Sequence, residues 1–147
     1  MSYETYSFTL SETFETLTVP AGEVWIVRIC QAASTGTADV AVTAQWTDAS
    51  NSNKVTRLTY QRAVSPGGAL SPVIGAQILE AGDTFQMERQ ADGTGDATLS
   101  VQVLDANSVT VFTASLDATT SWQTIGAALP GAATDQWKVF ILQAASV

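Results

Sequence analysis

An all-β fold, an antiparallel β-sandwich of jelly-roll-like form, is what this 147-residue sequence predicts, and three observations carry it. Apolar and polar residues alternate with period two in short runs, the signature of strands that bury one face. Gly, Pro, Asn and Asp punctuate those runs. Long stretches rich in Leu, Lys and Glu are missing while Thr, Val and Ser abound, so strands are favoured over helices. A hydrophobic fraction of 46% against 14% charged residues is that of a globular chain. This length suits one main core with an appendage better than two independent sandwiches.

The strands follow in order. Tyr6, Phe8 and Leu10 alternate on the first, residues 14–19 make the second and residues 24–32 the third. Val40, Val42, Ala44 and Trp46 form one face of the fourth, residues 55–63 the fifth, and Phe85 and Met87 with Arg89 one face of the sixth. Ala97, Leu99, Val101 and Val103 mark the seventh, and residues 109–116 and 137–145 the last two. Asn51-Ser52-Asn53 is expected to close a hairpin between the fourth and fifth strands. Asp92-Gly93-Thr94-Gly95-Asp96 is expected to be a second hairpin turn, its glycines free to take positive φ. The irregular stretch 65–72, with Pro66 and Pro72, is expected to cross exposed from one sheet to the other. Ala21-Gly22-Glu23 and Ala81-Gly82-Asp83 each place a turn glycine and an acid directly before an apolar strand, which a structural role explains.

An internal echo organises the C-terminal part. Trp25-Ile26-Val27-Arg28-Ile29-Cys30-Gln31-Ala32-Ala33-Ser34 and Trp137-Lys138-Val139-Phe140-Ile141-Leu142-Gln143-Ala144-Ala145-Ser146 agree at seven of ten positions, and Phe14-Glu15-Thr16-Leu17 matches Trp122-Gln123-Thr124-Ile125 in pattern. The reading is therefore a sandwich over 1–105 followed by a β extension over 106–147, a partial second copy of about 10–34. A half-sandwich cannot cover its own apolar face, so the extension is expected to pack on the first domain or on a neighbouring chain by strand exchange.

Composition excludes much chemistry. Cys30 stands alone between apolar neighbours, as a buried thiol would, so intrachain disulfides and CxxC metal sites are out. Histidine is absent, and with it the usual general base and every Ser-His or Cys-His relay; catalysis by carboxylates or lysine stays open but nothing singles out a pair. A formal net charge of −8 disfavours nucleic acid. No apolar run approaches the roughly 18 residues of a membrane helix, and the N-terminus lacks a signal-peptide pattern, so cytoplasmic synthesis is expected. No cofactor is expected.

Candidate sites are few. Asp92 and Asp96 in their Gly-rich loop could offer carboxylates and carbonyls to calcium, against the plainer reading of a turn. Trp46, Tyr60 and Trp122 could stack on sugars, against the plainer reading of core aromatics. Lys54, Arg57 and Arg62 fall on one strand and could meet an acidic partner, although strict alternation puts Arg57 on the opposite face from the other two. Trp137, Phe140 and Leu142 on the last strand are candidate partner-binding residues.

The order Val19-Pro20-Ala21-Gly22-Glu23-Val24-Trp25-Ile26-Val27, a small-residue loop, alternating strands, Leu79-Glu80-Ala81-Gly82-Asp83-Thr84-Phe85, a Gly loop and Leu99-Ser100-Val101-Gln102-Val103 resembles the small β-sandwich domains of tailed-bacteriophage virion proteins. Such domains occur in capsid decoration (cement) proteins, head fibres and tail or baseplate attachments, and the resemblance spans about residues 17–105. It implies a non-enzymatic virion part, made in the host cytoplasm, that docks on other virion proteins, foremost the major capsid protein, as a homo-oligomer, with a trimer the expectation. The alternative it leaves open is a tail, fibre or baseplate module that binds host-surface carbohydrate.

Overall fold

The computed structural model describes residues 1–73, 75–90 and 93–109. Among the described residues there are nine strands: β1 (Ser2–Thr9), β2 (Glu15–Thr18), β3 (Glu23–Ser34), β4 (Val40–Asp48), β5 (Lys54–Val64), β6 (Ala69–Leu70), β7 (Gln77–Leu79), β8 (Thr84–Gln90) and β9 (Gly95–Asp105), followed by a 3-10 turn, Ala106–Ser108. They form two antiparallel sheets. Sheet A runs β1-β9-β3-β6, with β7 also paired to β3, and sheet B runs β2-β8-β4-β5. The pairings nest: β4 with β5, β3 with β6 and β7, β2 with β8, β1 with β9. One long antiparallel ribbon has been folded at the β4–β5 turn and wrapped into two sheets, which is the jelly roll.

That central turn is a tight hairpin. Lys54 N donates to Asn51 O at 3.0 Å, and Ser52 and Asn53 both take positive φ, 56° and 58°. These are the features of a type I′ turn, whose twist suits the flanking strands. Asp48 holds the approach through Oδ1, accepting from Asn51 N at 3.0 Å and Ser50 Oγ at 2.7 Å.

The alternating apolar residues meet between the sheets. Trp25, Val27, Cys30, Ala32, Leu99 and Val101 of sheet A face Val40, Val42, Ala44, Trp46, Phe85 and Met87 of sheet B in one core. Cys30 Sγ lies 3.8 Å from Met87 Sδ across the layers, and Tyr6 stacks on Trp25 with ring centroids 5.3 Å apart. Truncating a fully buried ring such as Phe85 to Ala in such a core costs about 3–5 kcal/mol.

Several sequence expectations are corrected here. The link from β8 to β9 is no hairpin, because β8 belongs to sheet B and β9 to sheet A. Its glycines serve close approach instead of positive φ: a Cβ on Gly93 would lie 2.4 Å from Asp39 O, and one on Gly95 2.7 Å from Ala33 O. The stretch 65–72 does cross between sheets, but it contains β6, and the buried Pro72 and Val73 beyond it turn inward. Strand β7 was not read from the sequence at all. The strands expected at 109–116 and 137–145 lie outside the described residues, apart from Val109.

Candidate binding faces

With both inner faces used for the core, function falls to the outer faces. Each is built by strand parity. On sheet A the side chains opposite the core form cross-strand rows: Tyr3, Gln102, Ile26 and Ile78; then Thr5, Ser100 and Ile29; then Ser7, Thr98 and Gln31. Thr5 and Ser100 hydroxyls meet at 2.9 Å. Val24 and Leu104 pair beside the first row. A bulge between Val27 and Ile29 turns Arg28 toward Gln102, to which its guanidinium donates. Met1, Tyr3 and Ile29 are 86%, 71% and 55% exposed. In a chain of net charge −8, this broad face carries hydroxyls, amides and apolar groups, with Arg28 at the bulge and Asp96 toward its far end.

Sheet B is different. Its outer parity carries Gln45, Gln86, Glu88 and Gln90 with Thr16, Thr47 and the buried Thr43. Gln45 Nε2 donates to Gln86 Oε1 at 2.8 Å, and Gln86 Nε2 to Thr16 Oγ1 at 3.0 Å. On the edge strand β5 two register shifts opposite Val42, Ala44 and Gln45 break strict alternation. As a result Tyr60, three residues beyond Arg57, reaches the same face, with the Arg57 guanidinium 4.5 Å from its ring centroid. Gln61 follows at φ 46°, an unusual conformation for a non-glycine residue. Its N–H donates to the Thr43 hydroxyl at 3.1 Å, and its side-chain amide reaches Tyr60 Oη at 3.2 Å and Gln90 Oε1 at 2.5 Å.

Lys54, Arg57 and Arg62 all lie on β5, and the expected division holds: Arg57 pairs with outward-facing Gln45, whereas Lys54 and Arg62 pair with Asp48 and Val42 on the other parity. They form no single patch. Trp46 is a core residue, 3% exposed, with Nε1 donating to Asp83 Oδ2 at 3.1 Å, so it offers no sugar platform. Tyr60, at 39%, is exposed. Asp92, Trp122, Trp137, Phe140 and Leu142 lie outside the described residues. Asp96 sits in β9 opposite Thr9 and Ala33 with its side chain exposed, and no three acidic, Cys or His residues cluster for a metal among the described residues.

The Ala-Gly-acid turns are structural, as expected, and share a device. Gly22 and Gly82 take φ 84° and 91°, and the acid after each accepts an indole N–H from the core: Glu23 from Trp25 at 2.7 Å, Asp83 from Trp46. Asp83 is fully buried and also accepts from Ala49 N and Glu80 N, each at 2.9 Å. Arg89 likewise acts locally, donating from Nε to Leu10 O at 3.1 Å and pairing with Glu12 at 3.3 Å.

No family model matches the chain, and no curated protein matches it. Among solved structures it is similar to the Drosophila NLP-core, whose structure is described for pentamer formation and histone binding, at 9% identity and a TM-score of 0.45, over 69% of this chain and 99% of that one. A likeness of that size has no functional weight.

Proposed function

We propose that this chain is a structural virion protein of a tailed bacteriophage, a capsid decoration protein that binds the outer capsid surface and stabilises the shell. The observation that carries the reading is the outer face of sheet A, which combines exposed Met1, Tyr3 and Ile29 with rows of neutral hydroxyls, beside the buried Val24, Ile26 and Gln102. Apolar groups rimmed by neutral polar ones, with no concave pocket required, suit docking on a protein surface. Many identical modest contacts on a repetitive lattice bind effectively together, and ligand bound only to the intact shell opposes its rupture by mass action. In this reading the protein is not an enzyme, assembles as a homotrimer, meets the major capsid protein, and resides in the virion after synthesis in the host cytoplasm.

The test is detection in particles. Virions of the phage that encodes the chain are separated into heads and tails and probed with antibody against the purified protein. Many copies in the head fraction are expected. Absence from virions, or confinement to tails, contradicts the proposal.

A further inference from the structure

The outer face of sheet B has features that neither the fold nor capsid docking requires. We propose that the Tyr60 platform is a binding site for a saccharide bearing carboxylates, a uronic-acid-containing glycan. Three observations converge. Tyr60 is an exposed aromatic on a largely polar sheet face that also shows Val55, and stacking on an aromatic ring is how apolar sugar faces are held. The Arg57 guanidinium sits 4.5 Å from that ring and has no ion-pair partner among the described residues. A planar, permanently charged fork lying over the ring matches a sugar carboxylate.

The third observation is the amide array. Gln61 and Gln90, with Gln45 and Gln86 beyond the intervening Thr43–Glu88 row, supply donors and acceptors suited to sugar hydroxyls. The β5 bulges and the left-handed Gln61 conformation bring Tyr60 to the face of Arg57 and Gln61, from which regular alternation would have separated it. Backbone strain of that kind concentrates at binding sites. Glu88, opposite Thr43, is the carboxylate this face carries. It disfavours an acidic ligand, so removing its charge strengthens binding.

The site lies on the opposite sheet from the proposed capsid-docking face, so each idea can fail alone. Isothermal titration of the full chain with a short oligogalacturonate, and with maltohexaose as the neutral control, reads it directly. Binding in the range of about 1 mM or tighter is expected for the uronate and not for the neutral sugar. Arg57→Ala and Tyr60→Ala, each checked for an unchanged melting temperature, weaken it about tenfold or more, whereas Glu88→Gln tightens it. Equal binding of the neutral sugar, uronate binding indifferent to Arg57→Ala, or no uronate binding overturns the proposal.

Discussion

At the residue scale, burial decides what the polar groups do. Asp83 has no exposure and three donors aimed at it, so replacing it by Ala strands an indole N–H and two backbone N–H groups. A loss of about 3 kcal/mol or more is expected in urea unfolding, with Asn retaining part of it; a loss under about 1 kcal/mol would mean that water replaces the carboxylate. Burial also pushes the Cys30 thiol up to about 12, so a thiol reagent at neutral pH should leave the folded protein unlabelled and label it once denatured. Rapid labelling of the native chain would place Cys30 outside the core. Tyr6 is raised to about 12 by partial burial, then by its hydrogen bond to Glu4 and the charges of Glu4 and Glu23. Because the folded value lies above the ordinary value of about 10, the stability tied to the neutral phenol is present in full below about pH 10 and is lost as pH rises through about 12. A late phenolate absorbance step that vanishes in Tyr6→Phe is expected.

At the element scale, the strands with clean alternation were legible, and what the sequence hid was pairing. Val40, Val42, Ala44 and Trp46 announce a half-buried strand, as do Ala97, Leu99, Val101 and Val103, and the structure puts both sets in the core. β6 and β7, two and three residues long, are too short to show a period. Asp92 to Asp96 looked like a hairpin because turn glycines advertise bends without saying which sheet follows. The sugar platform was half legible: Tyr60 stood out by type, but its meeting with Arg57 depends on bulges in β5, and the approach of Gln61 to Gln90 on the cross-strand register. Neither is written in local pattern. The Asn51-Ser52-Asn53 hairpin was legible because its chemistry is local, and it can be improved: Ser52→Asn with Asn53→Gly supplies the residues that favour two consecutive positive φ angles. A gain of about 0.5–1 kcal/mol is expected in chemical denaturation, and a loss would mean that the turn is held by side-chain contacts instead.

At the scale of the whole molecule, a nested ribbon leaves two outer faces of unlike chemistry on one rigid core. Sheet A offers a face with exposed apolar residues, and sheet B a largely polar platform with a guanidinium that has no ion-pair partner among the described residues. The sequence echo gains meaning in this topology: residues 25–34 correspond to β3, the strand that pairs with β9 on one side and with β6 and β7 on the other. The repeated segment thus carries the sequence of a central strand, and Asp135 stands two residues before Trp137 as Glu23 does before Trp25. The most direct test of the central claim is sedimentation of purified protein with heads from a phage lacking its gene, comparing the natural chain with Tyr3→Glu plus Ile29→Glu. Saturable attachment of the natural chain and loss of attachment in the variant at unchanged stability are expected; equal attachment of both, or attachment of neither, would contradict a capsid-docking role.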